Sequence, residues 1–175
     1  MENMAAALAE RGVRTLRFEF LYMASRRGGG SKQPPNRVPK LEAEFEAVIA
    51  EIAVPALYIG GKSMGGRVAS MIADRLRPAG VICLGYPFHP PSKPEKLRTE
   101  HLETITTRTL IVQGERDPFG RREEVEAYPL STAVNMTWAT DGDHDLKPRK
   151  ESGHTHEDNI AAAADAVAAF MLGGS

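Results

Sequence analysis

Ser63, Asp117 and His144 are the residues of this 175-residue chain whose types and order could carry out acyl transfer. A serine hydroxyl attacks a carbonyl only when a base removes its proton. An imidazole does this best when a carboxylate fixes its tautomer and stabilises its charged form. Ser63 stands in Ile59-Gly60-Gly61-Lys62-Ser63-Met64-Gly65-Gly66, and Gly61-Lys62-Ser63-Met64-Gly65 fits G-x-S-x-G, the sharp strand-to-helix bend that presents a nucleophile. Glycines leave room beside the serine and tolerate a tight turn. Two other readings share these letters. Gly61-Lys62-Ser63 also ends a phosphate-binding loop, G-x-x-x-x-G-K-[ST], but that pattern needs glycine where Ala56 stands, and Leu57-Tyr58-Ile59 reads as strand rather than open loop. The other is a plain glycine-rich turn with Ser63 capping the helix. The motif is short, so its partners decide.

Asp117 follows the apolar run Thr109-Leu110-Ile111-Val112 and lies in Gly114-Glu115-Arg116-Asp117-Pro118. His144 follows the run ending at Trp138 and lies in Asp141-Gly142-Asp143-His144-Asp145. The order serine, aspartate, histidine is that of α/β-hydrolases, with each member beyond a different strand. Glu115 is the rival acid, and an aspartate before proline can simply open a turn. His89, His101, His154 and His156 are the rival bases, but none directly follows the last strand. His154 and His156 precede the last helix and read as surface residues. Asp141, Asp143, His144 and Asp145 form the densest group of possible metal ligands, without convincing ligand spacing. Cys83 reads as a buried thiol and Trp138 as core.

The elements that must position these residues are legible from periodicity. Residues 2–11 read as a helix stopped by Gly12, and residues 14–20 alternate Leu16, Phe18 and Phe20 with Thr15, Arg17 and Glu19, as a strand with one wet face would. A loop from Ala24 to Pro39 and a helix over about 39–52 follow. A strand leads into Ser63, and Val68, Ala69, Met71, Ile72 and Leu76 mark the helix after it. Val81-Ile82-Cys83-Leu84 is apolar throughout, as a strand buried on both faces is. Short helices near 95–103 and 121–128, a strand at Val134–Trp138 and a helix over about 157–172 complete the chain. Alternating strands and helices imply one α/β domain, 1–175, with a doubly wound, mostly parallel sheet. In such sheets the loops beyond the strands' C-terminal ends hold the site, and that rule selects the Ser63, Asp117 and His144 loops.

Composition narrows the function classes. Hydrophobic residues make up 42% and charged residues 26%, an ordinary globular balance. The formal net charge of −1 favours neither nucleic acid nor an anionic membrane as partner. One cysteine precludes an internal disulfide framework and suits a reducing, cytoplasmic setting. No apolar run nears the roughly 18 residues of a membrane span, and the first residues have no signal-peptide pattern.

Four stretches together resemble small α/β-hydrolases related to dienelactone hydrolase: Leu16-Arg17-Phe18-Glu19-Phe20, Tyr58 to Gly66, Gly114-Glu115-Arg116-Asp117-Pro118-Phe119-Gly120, and Gly142-Asp143-His144-Asp145-Leu146-Lys147-Pro148. Within that group the chain is most similar to bacterial relatives of the testis-expressed hydrolase-like proteins and of the hydrolase-like subunit of the non-specific-lethal acetyltransferase complex. The resemblance implies Ser63 as nucleophile, Asp117 as acid, His144 as base and the Met64 N–H as an oxyanion-hole donor, acting on a small acyl substrate without cofactor or metal. Dienelactone hydrolases carry cysteine at the bend, so Ser63 points to other esters. The resemblance also implies a first strand, with a His-Gly-Ala-Gly-like turn, ahead of the first helix and lying between residues 14–20 and the Ser63 strand. Its absence leads to the expectation that Met1 is an internal methionine. The turn would supply the second oxyanion donor, so the alternative function is a weak or inactive hydrolase fold used as an interaction module. The segment Tyr86–Thr107 is too short for a cap domain. The basic run Arg26, Arg27, Lys32, Arg37 and Lys40 reads as a solvated loop or an anion contact.

Overall fold

Four short strands, β1 (Tyr58–Lys62), β2 (Gly80–Leu84), β3 (Thr109–Gly114) and β4 (Val134–Ala139), form a wholly parallel sheet in the order β1-β2-β3-β4. The computed structural model describes residues 1–27 and 36–173. Its helices are α1 (Glu2–Glu10), α2 (Leu21–Arg27), α3 (Val38–Ala50), α4 (Met64–Leu76), α5 (Arg122–Val125) and α6 (His156–Leu172), with 3₁₀ turns at Glu100–Glu103 and Lys150–Ser152. Two units separate: residues 1–15 with 57–175, which hold the sheet, and residues 16–56.

In the sheet unit the pleat sends alternate residues to opposite faces. Ile82, Leu84, Leu110, Val112 and Ala139 face a core that Met4 and Leu8 of α1 share with Ala163, Ala164 and Val167 of α6. Cys83 points the other way, and its thiol donates to the Gly66 carbonyl of α4 at 3.3 Å. Helices therefore cover both faces, which is why β2 and β3 read as continuous apolar runs. Thr155 and Asp158 close a reciprocal cap at the start of α6. Arg11, just past α1, meets Asp165 of α6 at 2.6 Å.

The second unit is organised on aromatic contacts. The Phe18 ring lies 5.4 Å from Phe20 and 4.9 Å from Phe45, both edge-on, and Leu41 and Phe45 of α3 are buried. The strand expected at 14–20 is not formed: these residues belong to no ladder. The alternation is present in the sequence, but a strand exists only with a neighbour to bond. Here Phe18 and Phe20 pack on α3 while Leu16 stays 66% exposed. Residues 21–27, expected to lead into and begin a loop, form α2. Lys32 and the side chains of Arg26 and Arg27 lie outside the described residues. The helical pieces expected near 95–103 and 121–128 contract to Glu100–Glu103 and Arg122–Val125. Among the described residues no helix is long and apolar enough to cross a membrane.

Candidate active site

Ser63 is the single residue between β1 and α4, and its backbone is left-handed (φ 53°, ψ −116°), a conformation that strains a residue with a Cβ. Its N–H donates to the Leu84 carbonyl at 2.9 Å, and its carbonyl accepts from Arg67 N–H at 3.0 Å, so the bend is bonded to β2 and to the first turn of α4. The bend closes only because Gly66 lacks a side chain. A Cβ there would lie 2.7 Å from the Gly61 carbonyl oxygen and 3.1 Å from Cys83 Cα.

Asp117 sits in the turn beyond β3 and is completely buried. Its Oδ1 accepts from the Phe119 N–H at 2.9 Å and its Oδ2 from Gln113 Nε2 at 2.9 Å. The same Oδ2 lies 2.8 Å from His144 Nδ1. His144 Nε2 in turn lies 3.0 Å from Ser63 Oγ. Because the carboxylate can only accept, Nδ1 carries the proton and Nε2 offers its lone pair to the hydroxyl. Burial would disfavour the Asp117 charge, and three hydrogen bonds offset that cost. Phe119 covers one face of the imidazole at 4.3 Å between ring centres.

The structure thus brings together the three residues selected from the sequence. Met64 opens α4, where a first-turn amide has no acceptor within the helix. Lys62, immediately before Ser63, pairs with Asp145, immediately after His144. Burial lowers the Lys62 pKa, against the opposing pull of Asp143 and Asp117.

The rivals lie elsewhere. Glu115 is bound to Arg122 and to the Asp141 N–H, so it holds the start of the histidine loop rather than the imidazole. Asp141 is held low, to about 2, chiefly by its hydrogen bonds with Arg149. His89 is buried and bonded to the Pro90 carbonyl. His101 contacts Ser70, His154 is exposed, and His156 contacts the Asp145 carbonyl. Cys83 is buried, and burial drives its thiol pKa far up. Trp138 is half-buried beneath the Arg122 guanidinium. Among the described residues no group of three or more His, Cys, Asp or Glu side chains is placed to hold a metal.

Sequence reasoning missed Gln113. It is fully buried at the end of β3, accepts from Tyr86 N–H, and donates towards the Tyr86 carbonyl, the Gly120 carbonyl and Asp117 Oδ2. The available signal was an amide directly after the apolar run Leu110-Ile111-Val112, four residues before Asp117.

Comparison with known proteins agrees with this architecture. Residues 1–172 match the family model described as an alpha/beta hydrolase domain. An esterase domain from Rhodothermus marinus superposes with a TM-score of 0.65 at 15% identity, covering 97% of this chain and 78% of that one. An alpha-beta serine hydrolase homologue from Coxiella burnetii gives 0.62 at 21% identity, covering 95% and 73%. A serine hydrolase without a lid from Xanthomonas campestris gives 0.59 at 19% identity, covering 99% and 74%. At these identities the structural likeness concerns the fold.

Proposed function

Because the chain belongs to the alpha/beta hydrolase domain family, we propose that it is a serine hydrolase of ester or related acyl bonds, with Ser63, His144 and Asp117 as its catalytic triad. The observation that carries this reading is the continuous relay from Ser63 Oγ through both nitrogens of His144 to buried Asp117. In the reaction His144 Nε2 takes the hydroxyl proton as Ser63 Oγ bonds to the substrate carbonyl carbon. Asp117 stabilises the imidazolium without taking its proton. The negative charge that develops on the carbonyl oxygen is received by the Met64 N–H, whose position at the start of α4 adds the positive end of the helix dipole. His144 then returns the proton to the leaving alkoxide, an acyl-Ser63 ester remains, and water activated by the same imidazole releases the acid. The resemblance of four sequence stretches to dienelactone hydrolase relatives is consistent with this chemistry, and the serine at the bend directs the proposal to ordinary esters.

Labelling with a fluorophosphonate probe tests the assignment. The parent protein should label and Ser63→Ala should not; equal labelling of both would remove Ser63 from the role.

A further inference from the structure

Arg67 lies one helical turn beyond Ser63, and the Cα–Cβ bonds of a helix tilt towards its N-terminus, here the end that holds the nucleophile. Its backbone carbonyl accepts the Ser70 hydroxyl at 2.8 Å, and His101 Nε2 lies 2.8 Å from the same Ser70 Oγ. Across from it, the carbonyl of Arg98 accepts the phenol of buried Tyr86 at 2.9 Å, and the Arg98 N–H is fixed to the Phe88 carbonyl at 2.8 Å. Tyr86 O–H stands 3.4 Å from His101 Nε2, so one small network anchors the backbones of both arginines. Their side chains are left uncompensated. Among the described residues neither guanidinium has a carboxylate partner, and Arg67 Nε is buried with no hydrogen-bond acceptor. Buried donors without acceptors are unfavourable, and two neighbouring cations add repulsion. The Arg98 pKa is lowered by burial and then by the charge of Arg67.

We propose that Arg67 and Arg98 form an anion subsite beside Ser63 that selects acyl substrates carrying a carboxylate, such as the monoester of a dicarboxylic acid. The proposal rests on Ser63 being the nucleophile. A guanidinium offers paired N–H groups that match a carboxylate; Arg67 is half-buried and of its nitrogens only Nε is sealed, so an anionic acyl chain reaches the terminal nitrogens and relieves the repulsion between the two cations.

The test compares the mono-4-nitrophenyl ester of adipate with 4-nitrophenyl hexanoate, which has the same chain length but no charge. The parent should favour the adipate ester in kcat/KM by about tenfold or more, as expected for charge-assisted hydrogen bonds. Arg67→Gln and Arg98→Gln should bring that ratio towards one, while Arg67→Lys and Arg98→Lys, which keep the charge, should retain part of it. A parent without preference for the anion, or a ratio unchanged in both glutamine variants, overturns the subsite. If the parent cleaves neither ester and takes no fluorophosphonate, the hydrolase reading fails instead. Calorimetric titration with monoethyl adipate then reads the subsite directly: binding lost in the glutamine variants supports it, and no binding to the parent overturns it.

Discussion

The carboxylate of Asp117 depends on a residue that does no chemistry. Replacing Gln113 by Leu strips acceptors or donors from Tyr86, Gly120 and Asp117 inside a sealed part of the sheet. Each unsatisfied buried group costs about 1–3 kcal/mol, so Gln113→Leu should lower the urea-unfolding free energy by about 2–5 kcal/mol and slow turnover as well. Asp117→Asn changes stability less but reverses the hydrogen-bonding logic, since its amide can donate to Nδ1 and favour the unproductive tautomer. A fall in kcat of about 10²–10⁴ is expected, measured with any ester the parent accepts. His101 provides the pH dependence. Burial, then the charge of Arg67, lowers its pKa from 6.5 to about 4, so the folded protein binds this proton less readily than the unfolded chain does. The contribution is therefore complete above pH 6.5 and is lost as pH falls towards about 4. Unfolding measured between pH 7 and 4 should show that slope in the parent and a shallower one in His101→Gln.

At the scale of elements, the bend at Ser63 is set by how closely α4 approaches β2. Gly66→Ala inserts a Cβ against the Gly61 carbonyl and the Cys83 backbone, neither of which is a flexible side chain. Overpacking of this kind costs about 1–3 kcal/mol, and because α4 must lift, fluorophosphonate labelling should fall more than stability does. The histidine loop has a corresponding tie. Lys62 and Asp145 flank Ser63 and His144, so their ion pair joins the two loops independently of the Ser63–His144 hydrogen bond. Most elements were legible from the sequence because helices and buried parallel strands announce themselves by local period. The segment 14–20 was not, since alternation fixes which side chains share a face but not whether a neighbouring strand is present. Instead Phe18 and Phe20 found Phe45.

Across the whole molecule, the site was legible because chain order and position beyond a strand are properties of the sequence that parallel topology turns into proximity. Ser63, Asp117 and His144 were chosen by that rule together with the G-x-S-x-G motif, and the rule left Glu115 open as the acid. The contacts that tune them could not be chosen this way. Gln113 to Asp117, Lys62 to Asp145 and Tyr86 to the Arg98 carbonyl are side-chain contacts that neither period nor motif encodes. The same topology divides the site in an unexpected way. Residues 91–97 form an exposed stretch between β2 and β3, with Leu97 47% exposed. A peptide bond cut there would leave Ser63 on one piece and both Asp117 and His144 on the other, joined by the β2–β3 ladder and the packing around it. A protein carrying a specific protease site in this stretch should, after cutting, still label on its Ser63-bearing piece under native conditions and stop labelling in denaturant concentrations that the uncut chain withstands. Its reactivity would then report whether two separate polypeptides remain in register, which makes the proposed nucleophile a sensor of association.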